Sequence, residues 1–418
     1  MRLSLLFVLG MALGLAGSLG WAWAAGPLPG AGPSPQAADG TGAGRMAPSA
    51  SPTADSEPAG PAATAEPCVE APLAARAQQV LVVGLPAVTD PADPAIEAML
   101  GDGVGGVFIS KANVADDDQV RALVRALRER QAAPLLVTTD EEPGRVSSFG
   151  ALLGRTSSAR TLAARTEPAE MRAFARDLGA ALAGYGIDAN LAPVGDLDDG
   201  PSGGVIGDRS FSADPAMATA HTLAFARGLA DAGVAPTVKH FPGHGRSRTD
   251  SHRELDVVEA PLEALEDTDL VPFAASVDAG VPLVMTGHVA YADIDRQRPA
   301  SLAPGTYELL RDMGFDGVAI TDSIGMGAVN LRWPFPEAAV MAVEAGADAV
   351  LATDGNQTTA MRDALVEAVR SGRLEESRLD EAAARMVAVA GGDPASLVCG
   401  VEVDVPAALR PVAGAGRP

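Results

Sequence analysis

The sequence predicts an α/β fold, a (β/α)8 TIM-type barrel forming one folded domain, and three observations carry that prediction. Eight short apolar runs recur: QVLVVGLP from Gln79, GVGGVFISK from Gly103, PLLVTTDEE from Pro134, DANLAPVGD from Asp188, PTVKHFPGHG from Pro236, LVMTGHVAY from Leu283, GVAITDSIGM from Gly317 and DAVLATDG from Asp348. Each is as long as a buried parallel strand and bounded by turn residues. Helix-like stretches separate them, among them Asp116–Gln131, Pro168–Gly184, Pro215–Gly233 and Pro261–Gly280. Several start at Pro or an acid and stop at Gly, as helix termini prefer. Finally, polar residues gather at the C-terminal ends of the runs, where a barrel keeps its chemistry. An open doubly wound sheet is disfavoured, because no run is followed by a Gly-x-Gly-x-x-Gly loop opening a helix.

Taken in order, the chain of 418 residues opens on a predicted export signal over residues 1–24. Arg2 supplies the positive end, Leu3 to Leu19 the apolar region, and Ala22-Trp23-Ala24 a small-x-small cleavage site. Left uncleaved, the same segment would tether the protein to a membrane. Residues 25–75 are rich in Pro, Ala, Gly and Ser and bury too little apolar surface to offset their ordering entropy, so they read as a disordered linker. The barrel is expected over residues 76–395, with a C-terminal tail over 396–418. With 47% hydrophobic residues the chain can fill a large core. A formal charge of −23 and the lack of a basic patch argue against nucleic acid as a partner. A monomer is expected, with no cofactor.

The most informative stretch is VKHFPGHGRSRTDSH, Val238 to His252, which holds three of the five histidines. Asp250 and His252 stand two residues apart, and an extended chain sends i and i+2 to one side. The carboxylate can then hold one ring nitrogen while the other exchanges a proton with a substrate. A rival reading takes His240 and His244, spaced i,i+4, as zinc ligands. That spacing converges only on a helix, and Pro242, Gly243 and Gly245 oppose one. A third reading leaves these histidines as hydrogen-bonding residues of a loop.

DEEPGRV, NLAPVGD, IGDRSF, KHFPGHG followed by DSH, and ITDSIGM, in that order along the chain, resemble the motifs of the bacterial beta-N-acetylhexosaminidases of glycoside hydrolase family 3, whose order is the same. The resemblance covers roughly Gln79 to Val389. It implies that Asp322 is the nucleophile and that Asp250 and His252 form the acid/base dyad. It also places Asp140, Arg209, Lys239, His240 and, less directly, Arg145 and His288 at the sugar. The chemistry agrees: a retaining glycosidase needs one carboxylate at the anomeric carbon and a proton donor at the leaving oxygen. Alternatives stay open at this point. Asp322 could simply cap a turn, Lys239 could pair with Asp196, and Glu142 could pair with Arg145. Pro143 and Ser323-Ile324 depart from the family pattern without removing a reacting group.

The expected activity is therefore a retaining, exo-acting beta-N-acetylglucosaminidase for carbohydrate fragments of the cell wall, working outside the cytoplasm. A phosphorylase or beta-glucosidase on the same fold, a zinc hydrolase, and a cell-wall-binding protein without turnover are the alternatives. Only two cysteines occur, Cys68 and Cys399. Export places them in an oxidising compartment, and barrel closure brings the two chain ends together, so a Cys68–Cys399 disulfide is predicted at the barrel's base.

Overall fold

The computed structural model describes residues 68–101 and 103–406. The predicted signal and most of the predicted linker lie outside the described residues.

Eight parallel strands form the sheet: β1 (Leu81–Gly84), β2 (Gly106–Ile109), β3 (Leu136–Thr139), β4 (Ala189–Asn190), β5 (Ala235–Phe241), β6 (Leu283–Thr286), β7 (Val318–Thr321) and β8 (Val350–Ala352). They pair in chain order, and β1 also pairs with β8. The ring closes at a parallel bridge between Ile320 and Ala349, where the Thr321 N–H donates to the Ala349 carbonyl at 3.0 Å. This is the predicted (β/α)8 barrel.

Period-two alternation sorts the side chains. Val82, Leu136, Ala189, Ala235, Leu283, Met285, Val318, Ile320 and Leu351 form one buried cluster inside the barrel, joined by Met386 from the last helix, Glu376–Val389. Their neighbours Leu81, Val83, Val137, Val238, Val284, Ala319 and Val350 belong to the larger cluster under the helices. Burying each Leu, Ile or Val contributes about 1.5–3 kcal/mol, so the two layers fix which face of every strand points inward. The same parity decides where the chemistry points. Asp140 continues the inward series Leu136–Thr138, Lys239 continues Ala235–Thr237, and Asp322 continues Val318–Ile320.

The helix Pro168–Gly184 runs over the predicted residues. The stretch Pro261–Gly280 instead makes two helices, Leu262–Glu266 and Val271–Asp278, separated by a turn. Pro272 has no N–H to offer the preceding turn, so one helix cannot run through it.

Order reaches beyond the predicted barrel bounds on both sides, into residues 68–75 and 396–406. A helix begins at Leu73, inside the stretch read as linker, and its buried Arg76 forms ion pairs with Glu376 and Asp380 of the last helix. Leu397 and Val398, in the stretch read as tail, are buried in the outer core. Cys68 and Cys399 form the predicted disulfide, with Cα atoms 5.8 Å apart. Nearby Gly392 abuts Pro134, which leads into β3, so this corner lies at the N-terminal end of the strands, away from their C-terminal mouth. Closing a loop of 331 residues stabilises by about 5–6 kcal/mol at most in the chain-entropy model. Cys68→Ser with Cys399→Ser should thus lower the thermal midpoint while leaving kcat at 25 °C within twofold. A midpoint shift below about 1 °C by calorimetry would show that the bridge does not stabilise the fold.

Candidate active site

At the C-terminal ends of the strands lies a cavity of ≈ 870 Å³. Its wall includes Asp140, Arg145, Arg209, Lys239, His240, Asp250, His252 and Asp322, so eight of the nine residues singled out for catalysis or sugar binding converge there. The exception is His288. It is fully buried, with Nδ1 2.7 Å from the Ser301 hydroxyl and Nε2 2.9 Å from the Ser323 carbonyl oxygen. A carbonyl can only accept, so Nε2 carries the proton and Nδ1 accepts from Ser301. Burial lowers the pKa of this imidazole. His288 thus holds the backbone beside Asp322 from behind the wall.

A buried charge cluster forms one side of the cavity. The Lys239 ammonium donates to Asp140 Oδ1 at 2.6 Å and lies 2.7 Å from Glu142 Oε1. Arg209 grips Glu142 with both arms, Nε to Oε2 at 2.8 Å and Nη2 to Oε1 at 2.7 Å. Burial pushes the Glu142 carboxyl up, but Arg209 and Lys239 outweigh it and hold it well below the usual carboxylate range. Two pairings differ from the sequence reading. Glu142 partners Arg209 and Lys239, not Arg145, and Lys239 partners Asp140 and Glu142, not Asp196. Arg145 instead donates to the carbonyls of Gly204, Val205 and Ile206 and approaches Asp208 at 3.3 Å. Local spacing favoured the i,i+3 partner, whereas barrel closure brings β3, β5 and the loop after β4 to one point.

Asp196 is a second hub, next to this cluster. It is fully buried and accepts from His240 Nδ1 at 2.6 Å, from the His240 N–H at 3.1 Å and from the His244 N–H at 2.7 Å. Burial raises its pKa, but His240 and His244 together outweigh it, so it stays low. With Nδ1 committed, His240 turns Nε2 toward Arg209, 3.5 Å away. Beyond β5 the chain turns at Gly243, whose φ of +128° suits only glycine. It then passes so close to Leu197 that a Cβ on Gly245 would lie 1.7 Å from its carbonyl oxygen. Residues 244–246 make a single 3-10 turn, so His240 and His244 do not share a helical face. His244 is buried, and desolvation followed by the charge of His240 brings its pKa down to about 4. Its Nε2 lies 3.1 Å from the Ser251 hydroxyl, a contact with no sequence signal.

The dyad rides on the loop that follows. His252 Nδ1 is 2.7 Å from Asp250 Oδ1, which also accepts the His252 N–H at 3.0 Å. Burial pushes the Asp250 carboxyl up, but these bonds from His252 outweigh it and lower its pKa. The His252 side chain is 66% exposed, which leaves Nε2 open to the cavity. The carbonyls of Ser251 and His252 accept from the N–H groups of Ala328 and Gly327, both at 3.0 Å, docking the loop beside the segment that carries Asp322. Asp322 Oδ1 accepts the Ser323 N–H at 2.7 Å. Burial raises its pKa, yet the His288 and His240 rings beside it, that N–H and Lys239 together lower it, so it is ionised near neutrality.

His221 and Asp354 lie outside this group and do not line the cavity. His221 is an interior histidine, its ring nitrogens 3.0 Å from the carbonyls of Met217 and Thr166. Asp354, at the end of β8, caps the turn Gly355–Gln357 rather than lining the cavity.

The barrel mouth thus gathers a strand-end carboxylate, an Asp-supported histidine and a buried Lys–Arg–carboxylate cluster, groups suited to glycoside hydrolysis. The chain belongs to glycosyl hydrolase family 3: residues 73–389 match the model of that family's N-terminal domain. It is 39% identical over 328 residues to the beta-hexosaminidase LpqI of Mycobacterium tuberculosis, covering 76% of this chain and 82% of that protein. The structure of M. tuberculosis LpqI superposes with a TM-score of 0.72 at 37% identity, over 78% of this chain and 98% of that one. A family 3 beta-N-acetylglucosaminidase from Paenibacillus sp. str. FPU-7 superposes with a TM-score of 0.73 at 34% identity, over 80% of this chain and 65% of that one.

Proposed function

We propose that the chain is a retaining, exo-acting beta-N-acetylglucosaminidase that removes terminal beta-linked N-acetylglucosamine from cell-wall glycan fragments outside the cytoplasm. The observation that carries this reading is the shared cavity. An ionised Asp322 and a histidine with Nδ1 tied to Asp250 line it together, while Asp140, Lys239, Arg209 and His240 offer directional polar groups. Names of relatives supply the sugar: LpqI is called a beta-hexosaminidase and the Paenibacillus protein a beta-N-acetylglucosaminidase. The extracellular setting rests on the N-terminal apolar segment and is supported by the disulfide.

In the first step an Asp322 oxygen attacks the anomeric carbon, and the bond from that carbon to the leaving oxygen breaks. Protonated His252 delivers its Nε2 proton to that oxygen, and Asp250 stabilises the imidazolium. In the second step neutral His252 takes a proton from water, whose oxygen displaces Asp322. Two inversions give net retention. Turnover of aryl N-acetylglucosaminides and aryl glucosides, followed by NMR with and without inorganic phosphate, tests the whole reading. The expected first product is the β-anomer of free N-acetylglucosamine. An α-product, a preference for glucosides or a sugar phosphate would each overturn it.

His252→Ala should separate substrates by leaving group. Activated aryl groups depart with little protonation, so kcat/KM should fall at least tenfold more for a sugar leaving group than for dinitrophenol, on the scale of about 10²–10⁴ for a general acid. Equal losses on both would remove His252 from the acid role.

A further inference from the structure

Six cations occupy the region of this cavity: four in close pairs, one, Arg253, in a loose pair with Asp250, and one, Arg248, with no side-chain partner among the described residues. Lys239 and Arg209 are matched by Asp140 and Glu142, Arg145 lies against Asp208, and Arg246 beside them is paired with Asp269 at 2.7 Å. Arg248 and Arg253 also line the cavity. Among the described residues, the Arg248 guanidinium has no hydrogen-bond or ion-pair partner; only its backbone N–H is engaged, by Asp256. Arg253 comes no nearer to a carboxylate than 3.9 Å from Asp250 and is 85% exposed along its side chain. In a chain of net charge −23, carboxylates for these two would be easy to supply.

Their position says which side of the reaction they serve. They stand four residues before and one after His252, on a loop whose backbone is fixed. The Arg248 and Thr249 N–H groups bond to Asp256, and the Ser251 and His252 carbonyls are held by Ala328 and Gly327. An acid that protonates the leaving oxygen must face the leaving group, so its neighbours on the same loop flank that side of the cavity. We infer that Arg248 and Arg253 form a leaving-group subsite that selects glycosides whose leaving group carries a carboxylate. The inference rests on the proposed role of His252. Two solvated guanidiniums meeting one carboxylate give a modest attraction, on the order of tenfold in kcat/KM at low salt, and screening reduces it as salt rises.

The test uses the full chain and two aryl N-acetylglucosaminides matched in leaving-group pKa, one bearing a ring carboxylate and one neutral. The expected ratio of kcat/KM, carboxylated over neutral, is about ten at 20 mM salt and falls toward one at 0.5 M. It should also fall toward one in Arg248→Ala/Arg253→Ala and be largely kept in Arg248→Lys/Arg253→Lys. A ratio near one in the native protein, or one that the alanine pair leaves unchanged, overturns the inference. If neither glycoside is turned over, the proposed activity fails instead, and calorimetric binding of the free carboxylated phenol decides the subsite. Binding that disappears in the alanine pair supports it, and no binding to the native protein overturns it.

Discussion

Asp322→Asn should lower kcat on aryl N-acetylglucosaminides more than about a hundredfold, a barrier increase of roughly 2.7 kcal/mol or more, while the protein stays folded. The side-chain volume is nearly unchanged, and an amide oxygen can still accept the Ser323 N–H. What disappears is the negative charge that the Ser323 N–H and Lys239 help to hold in its ionised form. Both chemical steps depend on that oxygen, so activated leaving groups should not rescue the variant, in contrast to His252→Ala. The native protein treated with a 5-fluoro N-acetylglucosaminyl fluoride should gain the sugar's mass on the peptide containing Asp322. Turnover within tenfold of the native rate, or label on another peptide, would remove Asp322 from the nucleophile's role.

The largest stability effect is expected at Glu142. Its side chain is 2% exposed and joins Lys239 and Arg209, themselves 2% and 10% exposed. Glu142→Ala leaves two buried cations sharing Asp140 alone, and breaking a buried pair in this way costs about 3–5 kcal/mol. Asp231→Ala is the control, because the Arg172–Asp231 pair is half exposed and such pairs contribute about 0–1 kcal/mol. The Glu142 pKa is depressed in the fold, so its contribution is fully present above the ordinary carboxylate pKa and is lost as pH falls toward the folded value. The gap between native protein and Glu142→Gln in denaturant unfolding should therefore be wider at pH 7 than in strong acid. A Glu142→Ala cost below 1 kcal/mol would mean that the cations find other partners.

The barrel was legible because each strand is a short apolar run buried on both faces, a pattern that needs no long-range information. β4 was harder, since only Ala189 and Asn190 pair regularly and the rest of NLAPVGD is loop. The site residues were legible where one motif holds them together, as with Lys239, His240, Asp250 and His252. Their partners were not. The grip of Arg209 on Glu142 spans 67 residues, that of Asp196 on His240 spans 44, and His288 behind Ser323 spans 35. Such pairings are set by which loops meet over the barrel mouth, and side-chain type alone does not encode that. His288 was placed at the sugar for this reason, whereas both its nitrogens face inward.

The loop between β5 and β6 is clamped at its middle by the Ala328 and Gly327 N–H groups and again on either side of them. Asp196 seizes its root through the N–H groups of His240 and His244, and Asp256 gathers the Ser247 hydroxyl with the Arg248 and Val257 N–H groups. Between those anchors the side chains of Arg248 and Arg253 contribute nothing to the clamp. The segment therefore behaves as an interchangeable part: its mounting is separate from its working edge. On the proposed reading, substitutions at the two arginines would change the edge facing the leaving group without disturbing the bonds that hold the loop to the barrel.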